Sequence, residues 1–265
     1  MIYYNNLSAF TEVHYGNTNI DEVYFGNNKV WPEGPAPFGG KFKLTLLDES
    51  TVSAECDATS AITAVEILPQ YSGSVVSVEI GNCVTTIDDG AFESCSALTS
   101  VSISDSVTSI VKYAFNNCRN LTNVNIPSGV TVLTDGVFHM CSSLTSITIP
   151  SGVTSIGEHT FGYCSSLTGV TIPNGVTSIG EAAFNRCGSF TSVTIPSGVT
   201  YIGHVAFNHC TGLTGITVEA ITPPTIGSAF DDTNNCPIYV PAESVDTYKT
   251  TNVWSDYADR IQAIP

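Results

Sequence analysis

Residues 144–166 read LTSITIPSGVTSIGEHTFGYCSS, and the same frame returns along most of the chain. Phe92, Phe115, Phe138, Phe161, Phe184, Phe207 and Phe230 stand 23 residues apart throughout. Cys95, Cys118, Cys141, Cys164, Cys187 and Cys210 follow six of them three residues later. Leu98, Leu121, Leu144, Leu167, Phe190 and Leu213 open each unit. Back-extension places a degenerate first unit at Val75, giving six units over 75–212 and a drifting seventh over 213–235. A fixed period of this length marks stacked supersecondary units, each unable to bury its apolar face alone.

One unit reads as one coil of a solenoid. Ile147 and Ile149 alternate on a short strand, so both side chains face inward with Leu144. Pro150-Ser151-Gly152 turns the chain, Pro by its fixed φ and Gly by its conformational freedom. Val153 and Ile156 point back in from a second extended stretch. From Gly157 to Cys164 a helical or 3-10 turn follows, with Phe161 and Cys164 on its inner side. The expected fold is therefore a leucine-rich-like repeat solenoid of 23-residue coils with short parallel strands.

Both ends of such an array need lids. Cys236-Pro-Ile-Tyr-Val-Pro241 reads as a last strand. Helical segments after it offer Val245, Tyr248, Trp254, Tyr257 and Ile261 as a cover, so 236–265 is the expected C-terminal cap. At the other end, 41–74 is the expected N-terminal cap, opening with a hairpin over 41–56 that turns at Asp48-Glu49-Ser50. Residues 1–31 hold a ten-residue repeat, EVHYGNTNI and EVYFGNNKV, with Gly-Asn turn signals; a small β meander ending at Trp31 is expected. Residues 32–40 are a Pro/Gly linker.

Composition excludes several classes. Apolar residues make up 42% of the 265, which rules out wholesale disorder, and charged residues only 12%. The net charge of −16 argues against nucleic acid and against anionic membrane surfaces as partners. No apolar run approaches a membrane span, and MIYYNNLSAF shows no signal peptide. Charge is uneven: residues 98–212 hold 4 acidic and 3 basic residues, between strongly acidic ends.

Chemistry-bearing residues mostly read as scaffold. Six in-register cysteines belong in a packed, reduced ladder, since free Cys behaves there as a small hydrophobe. Cys56, Cys83 and Cys236 lie outside it, and a 56–83 bridge is the minority reading. His139, His159, His204 and His209 fall on the turn edge of different coils, where solvation is expected; His14 lies elsewhere. Asp88-Asp89-Gly90 reads as a turn rather than a calcium loop. No catalytic, metal or cofactor site is expected. Thr99, Thr122, Thr145, Thr168, Thr191 and Thr214 form an unbroken column, which admits an ice-ordering face as a distant alternative. Strand preference, with hydroxyls that satisfy neighbouring coils, is the simpler reading.

Two columns vary where the scaffold repeats. The second residue after each Phe reads Ser94, Asn117, Met140, Tyr163, Arg186, His209. The second before it reads Gly90, Tyr113, Gly136, His159, Ala182, Val205. Such variation has the character of a recognition surface, with Met140, Tyr163, Arg186 and His209 as the candidate binding stripe. Neutral drift on a solvated edge explains it equally well.

The unit L/F-T-x-V/I-x-I/V-P-x-G-V-T-x-I-G-x-x-A-F-x-x-C resembles the BspA-type (Treponema pallidum-type) leucine-rich repeat, over 75–235. The segment PIYVPAESVDTYKT…W…YADRIQ is similar to caps found on such arrays in gut bacteria. The resemblance implies a right-handed solenoid, a non-catalytic role in surface adhesion or protein binding, and a cell-surface or extracellular location. A protein or glycan partner is expected; the sequence does not fix the oligomeric state, a monomer being slightly favoured. EVYFGNNKVW is similar to short modules of phage tail or virion proteins, so a virion or tail-associated component is the alternative.

Overall fold

The computed structural model describes residues 24–25, 28–29, 40–56, 61–62 and 71–265. The solenoid is built from two rows of short parallel strands, one on each side of the Pro-Ser-Gly type of corner. The first row holds Val75–Ile80, Ser100–Ile103, Asn123–Val124, Ser192–Ile195, Gly215–Val218, Ile238–Val240 and Ile261–Ala263. The second runs as two-residue strands from Ala61–Ile62 through Ser109–Ile110, and from Val132–Leu133 to Thr225–Ile226.

Sequence period and strand register coincide. Val78 pairs with Val101, Ser155 with Ser178 and Ser192 with Gly215, each step being one repeat. The first row loosens in the middle, where Asn125 and Thr148 make a single bridge. There the Thr145 and Thr168 amides reach the preceding coil at 3.4 and 3.3 Å, against 2.8 Å for Thr99. Stacked this way, each coil hides its neighbour's apolar edge, and Phe161, Cys164, Leu144, Val153 and Ile156 are all buried.

The phenylalanines form a continuous stack. Neighbouring rings from Phe92 to Phe230 lie 5.1 to 5.7 Å apart and within 19° of parallel. The cysteines beside them are more than small hydrophobes. Each thiol from Cys118 to Cys210 donates to the phenylalanine carbonyl of the preceding coil, at 3.1 to 3.2 Å. Each of these buried carbonyls, already bonded by the amide three residues on within its turn, thus gains a second donor.

The threonine column is exposed, but its hydroxyls are engaged by the scaffold. Oγ1 of Thr99, Thr122, Thr168 and Thr214 donates to the carbonyl of the coil before it. Hydroxyl hydrogens bound in this way are not a free array for ordering water.

At the N-terminal end the hairpin Phe42–Leu46 with Thr51–Ala54 adds antiparallel to Val75–Ile80. Here the reduced reading of the outlying cysteines is corrected: Cys56 and Cys83 form a disulfide, with Cα atoms 5.9 Å apart. Phe42 pairs with both Ala54 and Ile80, so the two strands that flank it run in the same direction and carry both cysteines past the start of the middle strand. That convergence depends on long-range pairing and is invisible in cysteine spacing. The other seven cysteines are free and buried.

At the C-terminal end the helix Val245–Thr250 and the 3-10 segment Trp254–Arg260 close the last coil, burying Tyr248, Trp254 and Tyr257. Arg260 ties this cover down through the carbonyls of Cys236 and Phe230 and the Thr233 hydroxyl. Tyr24–Phe25 pairs antiparallel with Asn28–Lys29 across Gly26-Asn27. The rest of the expected meander, with Tyr15 and Trp31, lies outside the described residues, as does the linker 32–39.

Candidate functional site

The two varying columns share one backbone property. Ser94, Asn117, Met140, Tyr163, Arg186 and His209 have φ of 59 to 62°, and Gly90, Tyr113, Gly136, His159, Ala182 and Val205 have φ of 50 to 61°. Left-handed backbone is costly for any residue but glycine. The turn after each second-row strand is a run of i→i+3 hydrogen bonds of 3-10 spacing, such as Glu93 to Gly90 and Cys95 to Phe92. Left-handed residues interrupt it twice per coil and bend it into an arc.

The hydrogen bonds of that arc explain why the conformation is held. Amides of Met140, Tyr163, Arg186 and His209 donate to the following coil at 2.8, 2.7, 2.8 and 3.2 Å. Strand-side amides such as those of Thr154 and Gly157 donate to the preceding coil instead. Each coil is therefore joined to its neighbours in both directions, and the left-handed residues are fixed by the ladder whatever side chain they carry. At Met140, Tyr163, Arg186 and His209 the side chains point away from the packed core and are free to differ.

Met140, Tyr163, Arg186 and His209 line one open groove of about 570 Å³ together with Arg119, Ser142, Ser165 and Thr211. Tyr163 and Arg186 are exposed, while Met140 and His209 are half-buried. The floor comes from the fourth residue after each Phe, where Ser142, Ser165, Gly188 and Thr211 are small. Arg119 occupies the same column one coil earlier and stands at one end. Sequence reading missed this floor column, although its small residues recur at the repeat period.

Polar contacts organise the groove. The Arg186 guanidinium carbon lies 5.4 Å from the Tyr163 ring centroid, a cation–π pair. Arg119 Nε donates to Asn117 Oδ1 at 2.7 Å, which orients its fork. His209 Nδ1 lies 3.2 Å from Asp232 at the other end. His139 and His159 are not fully solvated: their rings are 5.4 Å apart, and His139 meets the Tyr163 ring edge-on at 5.6 Å. Burial, and then His159, lower the pKa of His139. Asp88-Asp89-Gly90 is a turn in which Asp88 accepts from the Asp89 amide.

A family model for the BspA type leucine rich repeat region matches residues 70–188 and 133–251, in six copies. The chain belongs to this family. Among solved structures, a leucine rich cell surface protein from Faecalibacterium prausnitzii A2-165 is 31% identical over 74% of this chain, with a TM-score of 0.58. The chain covers 61% of that protein's length, less than two thirds. The leucine rich repeat protein of T. pallidum is 28% identical over 64% of this chain and 86% of its own, with a TM-score of 0.56. No curated protein matches the chain. BspA-type membership accounts for the scaffold columns, whereas the groove belongs to the columns that vary.

Proposed function

We propose that this protein is a non-catalytic binding protein that works outside the cell and presents the groove over Met140, Tyr163, Arg186 and His209 to a macromolecular partner. The observation that carries this reading is the convergence of those four side chains on one groove, from positions whose packing demands nothing of them. Tyr, Arg and Met are residues that interfaces favour. The Cys56–Cys83 bridge supports an oxidising, extracellular setting, as does the cell-surface description of the F. prausnitzii protein. A virion assembled in a reducing cytoplasm fits that bridge less well.

The reading is tested with a glycan and surface-protein array probed by the full chain and by a variant with Ser at 140, 163, 186 and 209. Loss of binding with an unchanged melting temperature is the expected result. Binding that survives, yet falls when Thr148, Thr171 and Thr194 are replaced, would move the site to the strand face.

A further inference from the structure

The groove's charge and hydrogen-bonding character differ from those of the molecule around it. Its lining includes Arg119 and Arg186 and, among the described residues, no carboxylate; Asp232 stands just beyond it, against His209 at the far end from Arg119. Among the described residues neither arginine is ion-paired, whereas Lys43 and Lys112 face Glu79 and Asp89. The third arginine, Arg260, is committed to the C-terminal cap. A protein of net charge −16 thus presents two of its three guanidinium groups, unneutralised, on one surface. The surface sits on the nearly neutral coils, and the acidic ends are screened at distances beyond about 8 Å in physiological salt.

The two arginines are three coils apart, roughly 15 Å at the usual strand spacing, so one carboxylate cannot reach both. A ligand that uses both is an extended polyanion lying along the solenoid axis. Between them the groove offers the Met140 and Tyr163 side chains and a floor of hydroxyls. Ser142 and Ser165 donate back to the carbonyls of Arg119 and Ser142, which leaves their oxygens as acceptors for a hydroxyl-rich ligand. An acidic peptide is a poorer occupant, because the amides of Met140, Tyr163, Arg186 and His209 are donated to the next coil and that of Ser142 to Met140, and the lining residues lie in turns rather than on a strand edge. A pyranose chain needs no such edge, and its rings repeat at about the coil spacing.

We infer that the groove takes an acidic polysaccharide, with carboxylate-bearing sugars at Arg119 and Arg186 and sugar rings across Met140, Tyr163, Ser142 and Ser165. This rests on the groove being the binding site. Arg186, stacked on Tyr163, and Arg119, oriented by Asn117, are pre-set for bidentate carboxylate contacts.

The test compares polygalacturonate, alginate and hyaluronate with carboxyl-reduced polygalacturonate as ligands of the full chain, by calorimetry. At least one uronate polymer is expected to bind. Carboxyl reduction, or the double variant Arg119→Gln/Arg186→Gln, should weaken binding about tenfold or more, while Lys112→Gln has no effect. Equal binding of the reduced polymer, lost on Tyr163→Ser, would overturn the acidic ligand and keep the groove. Binding indifferent to every groove variant would overturn both. Failure of all three uronates, or an equal loss with Lys112→Gln, would overturn the acidic ligand.

Discussion

Trp254 takes the next place in the phenylalanine stack, its ring 5.8 Å from that of Phe230 and tilted by 42°. Its Nε1 donates to the Pro224 carbonyl at 2.8 Å, and Tyr248 meets it edge-on at 4.8 Å. The cap therefore ends the array by occupying the column the next coil would fill. Trp254→Ala should cost about 3–5 kcal/mol, the range for a buried aromatic, and promote association through the uncovered coil. Denaturant melts and light scattering check both effects; a loss below about 1 kcal/mol with a monodisperse sample would contradict the packing.

The array should be modular at its own period. Removing residues 144–166 joins Ser143 to Leu167 and keeps the inward columns in register, so Phe138 meets Phe184. That variant should stay folded with a modest loss of stability. Removing ten residues from the same place should unfold the protein, because strand and Phe columns no longer align. Circular dichroism and thermal melting of the two deletions distinguish these outcomes.

The coils were legible because their information is one-dimensional. Phe161, Cys164, Ile156 and Val153 recur at a period equal to the strand register, so inward direction follows from spacing alone. The Cys56–Cys83 bridge was not legible, since it depends on Phe42 pairing with strands on both sides. Nor was the left-handed backbone of the varying columns. Gly90 and Gly136 hinted at it in one column, but Tyr113, His159 and Val205 at equivalent positions masked the signal. The stripe itself could be chosen by its variation; its floor of Ser142, Ser165 and Thr211 needed the neighbouring column to be placed beside it.

Thiol chemistry should follow burial. Burial raises the Cys95 pKa to about 12 and carries Cys118, Cys141, Cys164 and Cys187 well above the ordinary thiol value. Thiolate is the reactive form, so few groups should react in the native protein at neutral pH. Denaturation without reductant should expose seven, and reduction two more, matching the single bridge. Replacing Cys56 and Cys83 together by Ser should cost about 2–4 kcal/mol, read from denaturant midpoints.

The left-handed column two residues before each Phe should favour glycine wherever it is tested. Gly136 has φ of +61°, and a methyl group there would collide with the Tyr113 ring. Gly136→Ala should cost about 1–2 kcal/mol and displace that ring. Val205, β-branched at φ of 50°, should tolerate Val205→Gly without loss and gain up to about 1 kcal/mol. Urea denaturation of both variants measures the difference; a neutral Gly136→Ala with a damaging Val205→Gly would contradict the assignment.

The groove itself can be watched directly, because the chain has only two methionines, Met1 and Met140. With methyl-labelled methionine, a titration of the full chain with the bound polysaccharide should shift the Met140 methyl resonance in proportion to occupancy. The Arg119→Gln/Arg186→Gln variant should show little shift at the same concentrations. Saturable binding by calorimetry with an unmoved Met140 signal would contradict a partner seated in this groove.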